Sequence, residues 1–131
     1  MPATRSMAPL LGLPFLGVSG CMPADGPSVP LESGTYQFQW KDAEFASSDG
    51  FPVRAEIADK RMRIINERTH REVPLGELDE GELMWHAKTG QWILGHAETD
   101  KLAPSVGGCA GADPFVVDFE ARVIWTCMWG P

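Results

Sequence analysis

Few residues in this 131-residue chain could do chemistry: three histidines, three cysteines, an acidic cluster and one glycine-rich loop. A metal ion needs several ligands converging on one point, so spacing tests the histidines first. "LMWHAKTGQWILGH", residues 83–96, reads as a β-hairpin turning at Thr89 and Gly90. With a two-residue loop, His86 falls on the face of Met84 and Ile93, and His96 on the face of Trp85 and Leu94. Opposite faces share no ion. A three-residue loop puts both on one face but displaces them by about 13 Å, at roughly 3.3 Å per residue. His70 lies in a different segment. No metal or cofactor is expected.

Nucleophilic chemistry finds no support either. Ser47, Ser48 and Ser105 sit in loops with no nucleophile elbow or neighbouring histidine. "VGGCAGADP", residues 106–114, lacks the Lys-Ser/Thr pair of a phosphate loop. Glu77, Asp79, Glu80 and Glu82 lack the ligand spacing of a calcium loop and are read as a solvated connection. No catalytic residue is assigned. A rival enzyme would have to assemble its site from distant groups such as His86, Asp118 and Glu120.

What remains is aromatic. Five tryptophans stand at Trp40, Trp85, Trp92, Trp125 and Trp129. Aromatic side chains bury large areas, so most belong in a core. Trp85 and Trp92 share a face of one hairpin, and with His96 at the rim they form the candidate surface for a ligand or partner.

The cysteines divide into one and two. "MPATRS" carries Arg5 and no acid, and the uncharged run "MAPLLGLPFLGV" that follows is too short to span a bilayer; together they read as a secretory signal. Its end, Val18-Ser19-Gly20-Cys21, resembles the lipobox of bacterial lipoproteins. That resemblance covers only residues 1–21. It implies cleavage between Gly20 and Cys21, diacylation of the Cys21 thiol and acylation of the new amino terminus. "MPADGPSVPLES", with three prolines and a glycine, then reads as an extended tether to Ser33. Met22 after the cysteine is compatible with passage to an outer membrane. Cys109 and Cys127 are left as an even pair in an exported chain, which reads as a disulfide, and their separation fits no zinc pattern.

These residues must be positioned by β structure. "TYQFQW" alternates, with Tyr36, Phe38 and Trp40 on one face. "PVRAEIADKRMRII" folds about Asp59 and Lys60 so that Ala58 faces Arg61, Ile57 faces Met62, Ala55 faces Ile64 and Glu56 faces Arg63. Residues 66–83 read as mostly connection, with a short strand near His70 to Val73. "FVVDFEARVIWTCMW" is a third hairpin, in which a loop at Glu120, Ala121 and Arg122 sets Phe115, Val117 and Phe119 beside Val123, Trp125 and Cys127. Val116, Ile124 and Met128 make its other face apolar too, so this ribbon should be covered on both sides. No window makes an amphipathic helix of ten residues.

The expected fold is all-β: a small antiparallel sandwich or partly closed barrel of six to seven strands with one disulfide. The organisation is a signal over 1–20, a lipidated cysteine and flexible tether over 21–33, and one domain over 34–131. Without its first twenty residues the chain carries ten basic against eighteen acidic side chains, a net of −8, which argues against nucleic-acid binding. The chain thus reads as an envelope lipoprotein facing the periplasm. Its domain would bind a partner protein, an envelope polymer or a small apolar ligand rather than catalyse; a purely structural role is the remaining alternative.

Overall fold

Period-two alternation does build the protein. The computed structural model describes residues 26–43, 50–71, 73–109 and 113–126. Among them run seven strands: β1 (Gly34–Asp42), β2 (Phe51–Ala58), β3 (Arg61–Asn66), β4 (Gly76–His86), β5 (Gln91–Gly95), β6 (Phe115–Asp118) and β7 (Val123–Thr126). Each pairs antiparallel with the next, and β7 returns to β1 to close a barrel. Because the strand count is odd, the first and last strands of the meander point the same way. The closing pair is therefore parallel, with Trp40 beside Ile124 and Asp42 beside Thr126. Closure removes the edges that a sandwich or open barrel would expose.

The β2–β3 hairpin has the register its pattern predicts, Ala58 with Arg61 and Glu56 with Arg63. Asp59 turns with a positive φ of 56° and donates its N–H to Ser33 Oγ at 2.9 Å. In the β4–β5 hairpin the loop is four residues long and Trp85 pairs directly with Trp92. Each partner has moved by two positions, which leaves every side chain on its expected face.

The β6–β7 hairpin differs in kind. Phe119 leaves the ladder to make a four-residue loop, and Val117 pairs with Ile124, Val116 with Trp125. A shift of one position exchanges faces: Ile124 goes inside and Trp125 outside. The cause is local. Asp118 Oδ1 accepts the N–H of Ala121 at 2.9 Å, Arg122 takes a φ of 59°, and Phe119 turns inward against Phe38 and Trp92.

The acidic run is not a loop but part of the eleven-residue strand β4. Its carboxylates belong to a charged outer face. Arg63 Nε donates to Glu77 at 2.6 Å, Arg63 also reaches Glu56 at 3.3 Å, and Arg61 lies 3.7 Å from Glu80. The Glu77 carboxylate holds Arg63 protonated even more firmly than usual, first by its hydrogen bond and then by its charge. The strand expected near His70 to Val73 is a connection: Asn66 Nδ2 donates to the carbonyls of Val73 and Pro74, and Val73 is buried in the core.

Phe38, Ala55, Met62, Ile64, Leu94 and Ile124 fill the barrel with no exposure at all. A second, smaller cluster lies outside it, where Met84, Ile93 and Val116 are covered by Val106 and Trp125. The segment after β5 makes a 3₁₀ turn over Glu98–Leu102 and then lays Gly107 against Val116. That approach requires glycine: φ is +73°, and a Cβ there would stand 2.8 Å from Val116 Cγ2.

Candidate functional site

Trp85, the second-last residue of β4, and Trp92, the second of β5, meet across the ladder with ring centroids 5.5 Å apart at 70°. From there Trp92 stacks edge-on against Phe119 at 6.0 Å, and Phe119 against Phe38 at 6.1 Å. The pair is the outer end of an aromatic ladder that reaches the core. Both tryptophans are half-buried, so each is part core and part surface.

The chain before β1 borders them. Val29 and Leu31 pack against the main core, Tyr36 donates its hydroxyl to the Glu32 carbonyl at 2.7 Å, and Gly26 lies on the Trp85 ring. The tether expected to run free to Ser33 is thus, from Gly26 onward, a strap laid across one end of the barrel. Its signal was present in the sequence: Val29 and Leu31 alternate with Pro30, the same period-two pattern that marks the strands.

Two shallow open depressions flank the tryptophan pair. One, of about 190 Å³, is bordered by Pro27, Ser28, Lys60, Glu82 and Lys101. The other, of about 350 Å³, is bordered by Pro30, Gln91, Asp118, Glu120 and Trp125. His96 borders neither. It lines a neighbouring depression with Arg61, Glu80 and Glu98, where its Nε2 stands 2.8 Å from Asp79 Oδ1. The two sites share Glu82, Met84 and Glu98, but His96 does not stand at the tryptophan rim.

The Asp79–His96 pair is one the sequence reading missed. A bulge at Ile64/Ile65 resets the β3–β4 pairing beside Asp79, and no simple alternation carries across such a step. A carboxylate beside an imidazole can orient a general base, whose proton donor is a protein nucleophile, a water or a substrate. None of the residues lining that depression carries a hydroxyl or thiol. His96 is 53% exposed, so the contact is a solvated pair of small energetic weight.

His86 lies at the other end of the β4–β5 hairpin and is fully buried. Its Nδ1 meets Thr89 Oγ1 and its Nε2 the Ala103 carbonyl, each at 2.7 Å. Both ring nitrogens are therefore occupied: Nδ1 within the turn of its own hairpin, and Nε2 in fastening the segment after β5 to the barrel. Asp118 accepts a hydrogen bond in its own turn, and Asp118 and Glu120 line the second tryptophan depression, which His86 does not border. No contact among the described residues joins the three groups named for a rival enzyme, and both His86 ring nitrogens are bonded elsewhere. No cluster of three or more potential metal ligands occurs among the described residues.

No family model, curated protein or solved structure matches this chain. Its function has to be argued from its own residues. Cys109, in the loop after Gly107, is the one cysteine among the described residues. Cys21 and Cys127 both lie outside them.

Proposed function

We propose that this chain is a lipoprotein of the bacterial cell envelope, anchored in a bilayer through acylated Cys21 and facing the periplasm. Its barrel is a non-enzymatic binding module that works through its outer surface at the Trp85–Trp92 end. The observation that carries the binding reading is the contrast between lumen and end. Phe38, Met62, Ile64, Leu94 and Ile124 fill the interior without exposure, so an apolar ligand has no place inside the barrel. Trp85 and Trp92 stay partly exposed between two depressions, and residues of that kind serve as anchors in binding surfaces.

The anchor rests on the Val18-Ser19-Gly20-Cys21 sequence, and intact mass tests it. Protein extracted from membranes should lack residues 1–20 and carry acyl mass on Cys21; a soluble mature chain with an unmodified thiol would end this reading. The binding surface is tested by hydroxyl-radical footprinting in the native envelope, against residues 22–131 exported behind an ordinary signal. Trp85 and Trp92 should react less in the envelope. Equal reactivity at both would remove that end of the barrel as the working surface.

The bridge belongs to the same proposal, as Cys109 to Cys127. A Cβ at Gly107 would stand 4.0 Å from the Cβ of Trp125, and each cysteine lies two residues beyond one of these positions. The loop closed would enclose seventeen residues, for which chain entropy gives about 3 kcal/mol.

A further inference from the structure

We propose that the surface formed by Trp85, Trp92 and the Gly26–Ser33 strap docks on the bilayer that holds the anchor, with a zwitterionic phospholipid surface as its partner. This rests on the lipid anchor at Cys21 and adds an orientation to it. The argument begins with Gly26. Its φ is +92°, and a Cβ there would stand 2.4 Å from Cδ1 of the Trp85 ring, so the backbone sits in direct contact with the indole. Val29 and Leu31 pack on the core, and Ser33 Oγ accepts the N–H of Asp59 at the β2–β3 turn. The strap is thereby fixed along its length, and the sequence leaves little chain between its first residue, Gly26, and Cys21. Five residue steps reach at most about 18 Å even when fully extended.

That reach is short compared with the barrel. Trp85 stands at the closing end of β4, an eleven-residue strand. At roughly 3.3 Å per residue and a barrel tilt of about 35–45°, β4 extends roughly 25 Å along the axis. An acylated Cys21 lies at the level of the lipid headgroups. With Gly26 held within about 18 Å of it, the end of the barrel remote from Trp85 cannot be the end that meets the bilayer. A tether of the length first expected from the sequence would have allowed either.

The chemistry at the near end suits a lipid headgroup region. Tryptophan, apolar in body with one N–H, favours the membrane–water interface. Trp125 lines the depression beside the pair, and Lys60 and Lys101 border the other, with stems able to cover apolar surface while their ammonium groups stay wet. The net charge of −8 after signal removal opposes an anionic surface, which makes a zwitterionic one the better partner.

The test uses the lipidated protein extracted from membranes and reconstituted into phosphatidylcholine vesicles. Nitroxide labels are placed at Ala121→Cys, in the exposed turn at the tryptophan end, and at Leu75→Cys, which is 62% exposed just before β4 at the other end. Collisional relaxation with oxygen, which partitions into lipid, is compared with that of a water-soluble nickel chelate. The oxygen-to-nickel ratio should be several-fold higher at Ala121→Cys than at Leu75→Cys. Equal ratios in protein whose Cys21 is acylated by mass would overturn the docking while leaving the anchor in place. Protein that carries no acyl mass and stays out of the vesicles would instead end the lipoprotein reading. Protection of Trp85 and Trp92 in the native envelope with equal ratios in plain lipid would assign the surface to a protein or polymer and overturn the lipid assignment.

Discussion

Replacing Ile124 with alanine tests the β6–β7 register, the one place where pattern and structure assign opposite faces. Ile124 has no exposure, sits between Val117 on β6 and Trp40 on β1, and belongs to the main core. Truncation of a buried isoleucine costs about 2–5 kcal/mol, with the larger values where the surroundings cannot collapse into the space. A strand hydrogen-bonded on both sides in a closed barrel has little freedom to move inward, so about 3–4 kcal/mol is expected. A domain of this size is stable by about 5–15 kcal/mol, so the variant should still fold. Urea unfolding followed by tryptophan fluorescence, with a slope of about 1.5 kcal/mol/M, should show the midpoint fall by about 2 M with the slope unchanged. A loss below about 1 kcal/mol would refute the register, because the alternative pairing puts Ile124 on the outer face and Trp125 in the core.

His86→Ala should cost about 1–3 kcal/mol, since it removes a fully buried side chain and leaves the part-buried Ala103 carbonyl without its partner, whereas His96→Gln on the exposed surface should move thermal unfolding very little. Hydrogen exchange on the His86 variant should show the gain in opening concentrated between Glu98 and Gly107, and a gain spread evenly over the strands would count against the fastening role. Cys109→Ser and Cys127→Ser should each lower stability by about 3 kcal/mol without reductant, and the pair should be no worse than either alone. A non-reducing peptide map that joins Cys109 to anything other than Cys127 would overturn that pairing.

What the sequence disclosed about this fold depended on the kind of error each hairpin allowed. At Asp59-Lys60 the charge pair Glu56 with Arg63 and the apolar pairs agreed on one register, and the structure has it. At Thr89-Gly90 the sequence pattern sets the turn one residue too late, which shifts partners by two and costs nothing in faces; the Trp85–Trp92 surface is therefore legible. At Glu120 to Arg122 a three-residue loop looked equally good because both faces of the ribbon are apolar, and alternation then has no power to choose. Tertiary contacts of Phe119 with Phe38 and Trp92 made the choice. The acidic stretch misled for a different reason. Its neutralising partners, Arg61 and Arg63, lie on another strand, and composition alone shows four carboxylates without them. The strap's one signal, the alternation of Val29 and Leu31 about Pro30, is outweighed because three prolines and a glycine describe a free linker as well as one pressed onto a surface.

The odd strand count bears on the two open questions about the cysteines together. Since β1 and β7 run parallel, the chain enters the barrel at one end and leaves it at the other. The entry end carries the strap, with Gly26 on Trp85; the exit is Thr126, one residue before Cys127. Cys109 lies shortly before β6, whose first residue, Phe115, stands edge-on to Trp40 at 5.5 Å near the exit end of β1. A bridge from Cys109 to Cys127 thus needs only a short span across the exit end. A bridge to Cys21 would instead have to reach Cys109 from the strap at the entry end. The topology that favours pairing Cys109 with Cys127 is the one that leaves Cys21 free for lipid. On the proposed anchor and bridge, loss of the bridge should weaken the barrel without releasing it from the membrane.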